Sequence, residues 1–424
     1  MRKFLRFALS AVMVTTMFFY AGDNFVKAAN SYDLNDIGIS EANKWLDKES
    51  NTFKYPITVD SKEWKDYKTH DEMLAVCTIP KELLAEMSTD NLVELVLDYP
   101  LLCDLLAYNT LQQGLEAVKQ QYNGLEELLS REDAADMLLA KYQETEILAS
   151  SSLPIKLMTK FKNDGDISAV LAEIQKSDTL YKKIRNESKE LLDTIFLEMM
   201  LVQDEIVNDF SAEELNILNM EALHKYKEKS NSDMYRGLED TYFEEMENNG
   251  NEKMLGDINI IKINNSDINN EISILSSTTY VYTPNGTSVL VFINDFYGYS
   301  VQVLTTNNFV AQYPQADLVV AATNMYNCHS YAWYSQNQYA TSGYWMNYPD
   351  AYINDGSYYR VGGGLSPTAQ NQKAVWMSSG QYIHSGIVYE VYNRTITSKW
   401  GNGPLFRHAS TYSPYSGGIY YYTR

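Results

Sequence analysis

The stretch IHSGIVYEVYNRTITSKWGNGPLFRHA, residues 383–409, decides the fold of the C-terminal third of the chain. Apolar and polar side chains alternate along much of it, and a period of two is typical of β-strands. Asn393-Arg394 and Asn402-Gly403-Pro404 predict tight turns. These turns separate three predicted strands, over residues 383–392, 395–400 and 405–409. Consecutive strands joined by tight turns indicate an antiparallel sheet.

The residues before this stretch continue the β-like pattern. Thr283-Pro284-Asn285-Gly286 predicts a turn ahead of a β-branched run at 288–293, and residues 300–305 form a second such run. Cys328 opens a short pattern of helical spacing. We therefore expect residues 280–424 to form an α+β domain, in which one helix packs on an antiparallel sheet.

Helical signals dominate residues 29–246. Three segments pair a side-chain cap with an acid three residues later, which is the pattern of a capping box: Thr69-His70-Asp71-Glu72, Ser130-Arg131-Glu132-Asp133 and Ser211-Ala212-Glu213-Glu214. Apolar residues follow each of them at helical spacing. The fold class predicted for the whole chain is therefore α+β, with an N-terminal α-helical domain and a C-terminal α+β domain.

Two further segments complete the predicted organisation. Residues 1–28 fit a secretory signal peptide, because a basic start is followed by an apolar run at 7–22 and by Val26-Lys27-Ala28, which suits cleavage. The apolar run is shorter than the roughly 20 residues that a membrane span needs. Residues 247–279 are predicted to be a linker, since eight asparagines lie between 248 and 270. We expect a secreted chain with no membrane segment after cleavage.

Charge is distributed unevenly along the chain. The net charge is −21, but residues 280–424 carry five acids against six bases, so the acidity belongs to the first 279 residues. A strongly acidic chain is a poor candidate for binding nucleic acid through bulk charge. The acids of the helical region are expected to form a solvated surface, and a basic protein partner is the alternative.

The three cysteines differ in their surroundings. Cys77 and Cys103 lie in apolar helical patterns and are expected to be buried small hydrophobic residues, with a bridge between them left open. Cys328 stands at the predicted start of a helix, where a cysteine thiol is more easily ionised. His384 stands near the start of a strand beside Ser385 and Gly386. A histidine there could take the thiol proton and return it to a leaving amine.

The third member of such a site is open. His408, on the next predicted strand, could accept a hydrogen bond from His384 when neutral, and Asn402 is the alternative. A two-residue turn at Asn393-Arg394 would place Lys399 on the sheet face of His384. A metal site is a rival use of these residues together with His329, but the usual ligand spacings are absent, so neither metal nor cofactor is expected.

The C-terminal motifs resemble those of a known superfamily. Asn327-Cys328-His329-Ser330-Tyr331-Ala332-Trp333, His384-Ser385-Gly386-Ile387-Val388, Ser398-Lys399-Trp400-Gly401 and His408 look like a group of secreted Gram-positive proteins, which in turn resemble the NlpC-like and CHAP-like branches of the papain-like cysteine hydrolases. The resemblance covers about residues 282–424. It implies a papain-like fold for this region, with Cys328 as nucleophile, His384 as base and His408 as orienting residue.

The same resemblance implies a reaction and a substrate. The expected activity is hydrolysis of an amide bond through a thioester, by a cysteine amidase or endopeptidase, and the expected substrate is the stem peptide of peptidoglycan. Trp333 and Trp400 are candidates to line a substrate groove, although core packing is the alternative. A different class of function also fits the sequence, namely a non-catalytic secreted or cell-surface binding protein with a degenerate papain-like domain.

Overall fold

The structure is a computed structural model that describes residues 44–47, 52–232, 234–235, 277–339, 341–361 and 366–424. The predicted signal peptide at 1–28 lies outside the described residues, as does the predicted linker except for its last three positions. Those three positions, 277–279, begin a strand.

Helices make up almost all of the described part of the N-terminal region. They are α1 His70–Cys77, α2 Lys81–Glu86, α3 Thr89–Leu97, α4 Leu111–Gln121, α5 Asn123–Leu129, α6 Ala134–Glu144, α7 Ile155–Asp164, α8 Ile167–Gln175, α9 Asp178–Leu201, α10 Asp204–Val207 and α11 Ala212–Ser230. Two 3₁₀-helices, Glu63–Asp66 and Leu102–Ala107, and a short ladder between β1 (Leu46–Asp47) and β2 (Thr52–Phe53) join them. Among the described residues, no helix is both long and apolar enough to cross a membrane.

Two of the three predicted capping boxes are confirmed. Thr69 caps α1 with Glu72 as its partner, and Ser211 caps α11 with Glu214. The box predicted at Ser130 is wrong, because α6 begins only at Ala134 and the Ser130 hydroxyl donates to the Glu127 carbonyl instead. Ser130 therefore closes the preceding helix, α5, rather than opening the next one.

The C-terminal region is a mixed arrangement of strands and two helices. Its strands are β3 Ser277–Tyr282, β4 Ser288–Ile293, β5 Asp317–Val320, β6 Tyr359–Arg360, β7 Lys373–Ser378, β8 Gln381–Glu390, β9 Thr395–Lys399, β10 Leu405–Ala409 and β11 Gly418–Thr423. Its α-helices are α12 Tyr299–Gln312 and α13 Ala351–Asn354. The α+β class is thus confirmed, with strands β8, β9 and β10 where the 383–409 stretch predicts them.

Seven of these strands form one sheet in the order β5-β10-β9-β8-β7-β11-β6, and each neighbouring pair is antiparallel. β3 and β4 form a separate hairpin, whose turn closes at Gly286 through a bond to the Thr283 carbonyl. The turn predicted there is confirmed.

The β-like assignment of one segment in the C-terminal region is wrong. Residues 300–305 were expected to be β-like, but they lie in α12. Residues 301–309 of this helix are all buried, and they include polar side chains such as Gln302, Thr306 and Asn308, so polar and apolar residues do not separate onto two faces. Without that periodicity, a short run rich in β-branched residues cannot be told from a buried strand by pattern alone.

The two faces of the seven-stranded sheet bury different sets of side chains. One face, with Trp376, Val388 and Phe406, joins the core of the helical region. The other face, with Val375 and Ile387, joins a smaller core under the segment that follows Cys328. The regions predicted as separate domains, 29–246 and 280–424, therefore share one continuous hydrophobic core within the described residues.

A buried carboxylate fastens the helical region to the C-terminal region. Asp104, in the 3₁₀-helix Leu102–Ala107, accepts hydrogen bonds from Gln312 Nε2 at 2.6 Å and from Tyr313 Oη at 2.5 Å, both at the end of α12. His70 Nε2 lies 2.9 Å from its other oxygen. Asp104 is only 3% exposed, so these groups replace the water that a carboxylate otherwise needs.

We expect Asp104→Ala to destabilise the whole chain rather than one region. It leaves three buried polar groups without their acceptor, and each such group costs about 1–3 kcal/mol, so the free energy of unfolding should fall by at least about 3 kcal/mol. Urea unfolding followed by circular dichroism measures the change. Asp209→Ala, at an exposed helical-region position, is the matched control and should shift stability by less than about 0.5 kcal/mol. A loss no larger than that of the control would contradict the role of Asp104.

Candidate functional site

Cys328 begins a helical turn that continues as a π-helix over Ser330–Tyr334. The turn is held by Asn327, which is fully buried. Its side-chain oxygen accepts from the backbone N–H groups of Ser330 and Met346, each at 3.1 Å, and its Nδ2 donates to the Met346 carbonyl at 2.7 Å. The predicted helix start at Cys328 is therefore present, and Asn327 explains why the chain turns there.

The Cys328 turn packs on strand β8 through Ser385. The indole N–H of Trp333 donates to Ser385 Oγ at 2.9 Å, and His329 Nδ1 lies 2.8 Å from the same oxygen. Ser385, Trp333 and His329 are all buried. A serine at this position satisfies two ring nitrogens of the Cys328 turn with one hydroxyl, which gives the small residue beside His384 a structural role.

The thiol of Cys328 is enclosed. Its side chain is 1% exposed, and Sγ donates to Asn109 Oδ1 at 3.4 Å. Burial raises the pKa of Cys328 to about 12, while the backbone N–H groups of Ser385 and His329 and the charge of Lys399 oppose that rise. The thiol is therefore protonated at neutral pH in this arrangement, although several donors point at the sulfur.

Lys399 is a buried amine next to this thiol. Its Nζ donates to the carbonyls of Thr323 at 2.7 Å and Gly401 at 2.5 Å, and it sits 5.2 Å from the centre of the Tyr326 ring. Burial lowers the pKa of Lys399 well below its usual range, and the neighbouring Cys328 partly opposes this. Electrostatic coupling thus links Lys399 to the thiol.

His384 lies in the other layer of the structure. Its ring stacks on Tyr415, with centroids 3.5 Å apart, and its edge meets Trp376 at 4.9 Å. Neither ring nitrogen has a hydrogen-bond partner among the described residues. Burial lowers the pKa of His384 well below its usual range, and the His408 and His329 rings add to the effect. His384 is therefore a neutral imidazole with unused nitrogens, and no hydrogen bond joins it to Cys328.

The strand register explains this separation. A bulge between Val388 and Glu390 pairs Ile387 with Thr397, so His384 shares its face with Ser398 and Trp400. The expected two-residue turn would have put Lys399 on the face of His384, and that expectation is wrong. Lys399 shares the face of Ser385, on which the Cys328 turn packs. A register change of one residue moves every side chain to the other face.

His408 is not the hydrogen-bond partner of His384. Its Nε2 lies 2.7 Å from Ser398 Oγ and accepts weakly from Trp400 Nε1 at 3.4 Å, and its Nδ1 lies 2.9 Å from the Ala409 carbonyl. Burial lowers the pKa of His408 to about 4. Its two nitrogens are already engaged by local groups, and the orienting role expected for it is not met in this arrangement. Asn402, the alternative, gives its backbone N–H to the Leu106 carbonyl at 2.8 Å.

The tryptophans proposed for a groove are part of the core. Trp333 is 3% exposed and Trp400 is fully buried. Trp400 packs among Phe309, Tyr313 and Phe406. The core-packing alternative is therefore the correct one for both. Cys77 and Cys103 are buried, as expected, and the bridge between them that the sequence left open is not formed.

Metal ligands do not cluster in the part of the chain that the structure describes. No group of three or more histidine, cysteine, aspartate or glutamate side chains is arranged to hold an ion there.

The residues around Cys328 that sequence reasoning missed are Asn109 and Tyr415. Asn109 comes from the helical region, more than 200 positions away, and no local pattern marks it.

Comparison of the chain with protein-family models, with curated proteins and with solved structures gave no match.

The buried histidines predict a loss of stability in acid. Burial lowers the pKa of His329 to about 3 and that of His408 to about 4, whereas an unfolded histidine titrates near 6.5. Below pH 6.5 the unfolded chain therefore binds more protons than the folded one. Stability is complete above about pH 6.5 and falls as the pH approaches the folded values, by about 1.4 kcal/mol per pH unit for each such histidine.

His408→Gln tests this linkage, because it removes one titrating group while keeping a polar side chain. We expect the slope of unfolding free energy against pH, between pH 6 and 4.5, to fall by about one proton. Taking the difference from wild type cancels the carboxylates. Equal slopes for wild type and His408→Gln would show that His408 is charged in the folded chain.

Proposed function

We propose that the chain is a secreted cysteine hydrolase that cleaves amide bonds, with Cys328 as nucleophile. The observation that carries the proposal is the convergence of donors on one sulfur. The backbone N–H groups of Ser385 and His329, the N–H of Cys328 itself and the charge of Lys399 all favour the thiolate over the thiol. These groups stabilise the negative charge that a nucleophile carries, against the larger effect of burial, which raises the pKa of the enclosed thiol to about 12.

His384 is the proposed base. Buried polar atoms without partners are rare in folded proteins, and both nitrogens of His384 are in that state among the described residues. A neutral imidazole with free lone pairs is able to take a proton. His384 directly precedes Ser385, whose N–H faces the sulfur, so the two groups flank the same strand. The described arrangement does not bring a ring nitrogen to the thiol, and a rearrangement must precede the reaction.

The proposed reaction has two halves. The Cys328 thiol gives its proton to His384, and the sulfur attacks the amide carbonyl, whose oxygen takes the negative charge near the Cys328 N–H. The C–N bond breaks, the imidazolium proton goes to the leaving amine, and a thioester remains. Water then gives a proton to His384 and attacks the thioester, the C–S bond breaks to release the acid, and His384 returns the proton to the sulfur to restore the thiol. The stem peptide of peptidoglycan remains the proposed substrate, on the resemblance of the motifs and on the predicted export.

A non-catalytic binding protein is the second candidate. The observation in its favour is the enclosed thiol, which is 1% exposed with a pKa near 12. On this alternative, the polar contacts of Cys328 serve only to pack the turn on the sheet. The acidic helical surface or the tyrosines of the C-terminal region would then carry the binding.

Amide hydrolysis of peptidoglycan fragments, followed as newly released amines by mass spectrometry, tests the proposal. Cys328→Ala should abolish release, and His384→Gln should slow it by about 10²–10⁴-fold, because each removes one partner of the proton transfer. Cys77→Ala, at a buried cysteine in the helical region, is the matched control and should keep the wild-type rate. Release that survives Cys328→Ala at an undiminished rate would contradict the proposal.

A further inference from the structure

The residues that cover the Cys328 thiol come from the helical region. Asn109 lies over the sulfur, and its Oδ1 accepts both from Cys328 Sγ at 3.4 Å and from Asn327 Nδ2 at 2.9 Å. Its backbone carbonyl accepts from Trp345 Nε1 at 3.1 Å. Asn109 is itself only 6% exposed, so both the thiol and the side chain that contacts it are shielded from solvent.

The residues just before Asn109 are fixed to the same rim. The Leu106 carbonyl accepts from the Asn402 N–H at 2.8 Å, and the Ala107 carbonyl accepts from the Tyr415 hydroxyl at 2.7 Å. The Tyr108 hydroxyl donates to the Pro414 carbonyl at 2.9 Å. Residues 106–109, here called the cap segment, therefore contact the C-terminal region at every position.

Gly401 shapes the surface on which the cap segment rests. A methyl group at this position would lie 2.3 Å from the Leu106 carbonyl oxygen and 2.4 Å from that of Tyr108. Its φ is +45°, a conformation that other residues adopt with strain. Glycine is thus required at position 401 for the cap segment to lie as closely as it does.

The cap segment excludes a substrate from the thiol. A nucleophile must approach the carbonyl carbon to about 3–3.5 Å in line with its orbital, and a sulfur 1% exposed beneath Asn109 offers no such approach. We propose that the cap segment holds the Cys328 site in a latent state, and that local opening of this segment is what admits an amide substrate. The proposal rests on the function proposed above, but opening is measurable without any substrate.

Alkylation of individual cysteines in the full-length chain measures the opening. With iodoacetamide as probe and peptide mass spectrometry as readout, we expect Asn109→Ala to label Cys328 about tenfold faster or more, with Cys77 and Cys103 unchanged. Gly401→Ala should also speed the labelling of Cys328, although residue 109 is still asparagine in this variant, because the added methyl group displaces the cap segment. Asn123→Ala is the matched control, since the side chain of this asparagine bonds to Ile79 within the helical region.

The wild-type chain provides a second measurement. Labelling in increasing urea, below the unfolding transition, reports the surface exposed by each opening event. Cap opening exposes little surface, so the logarithm of the Cys328 rate should rise with a slope under about half of that for Cys77 and Cys103, which need global unfolding. Equal slopes for all three cysteines, or variants that speed all three equally, would overturn the latent state.

The failures of the two proposals are distinguishable. Faster Cys328 labelling in Asn109→Ala without any release of amine would support the latent state and contradict the hydrolase function. Release of amine by the wild-type chain, with Cys328 labelling unaffected by Asn109→Ala and Gly401→Ala, would support the hydrolase function and contradict the latent state. Faster labelling together with increased release, lost again on adding Cys328→Ala, supports both.

Discussion

The buried Asp104 carboxylate is the constraint on which the arrangement of the two regions depends. It collects hydrogen bonds from α1 and from the end of α12, and it sits in the 3₁₀-helix that runs into the cap segment. A carboxylate in this position is tolerated only while every donor is in place, since removing water from it is expensive. The network therefore fixes the helical region against the sheet. It also sets the position of Asn109, because this residue follows the end of the 3₁₀-helix by only two positions.

Two residues that are adjacent in sequence have different surroundings at the centre of this protein. Ser385 and His384 are neighbours, yet one supports the Cys328 turn and the other stacks on Tyr415 in the core shared with the helices. The result is a sulfur surrounded by donors, a coupled lysine and a neutral imidazole with free nitrogens, all enclosed. The imidazole makes no hydrogen bond to the sulfur, and the cap segment covers the sulfur. The proposed hydrolase function follows from the groups around the thiol, and the proposed latent state follows from the lack of substrate access to it.

The sequence predicted local elements well where one physical signal was sufficient. β10 has the predicted bounds, and β8 and β9 end within two residues of theirs, because alternating apolar residues and turn residues act over a few positions. The capping boxes at Thr69 and Ser211 are correct for the same reason. The helix α12 was missed because residues 301–309 are buried on every side, polar ones included, so the sequence lacks the separate polar face on which a helical prediction depends.

The sequence by itself determined the α+β class, the strands after residue 380, the helical turn at Cys328 and the burial of Cys77 and Cys103. Only the tertiary structure decided which side chains meet at the thiol. A single bulge after Val388 moved Lys399 to the face of Ser385 and left His384 on the other, and such a shift leaves the sequence pattern of both strands unchanged. Asn109 entered the site from the helical region because a shared core and the Asp104 network brought distant segments together. Contacts of that kind depend on the packing of the whole chain, which no local pattern records.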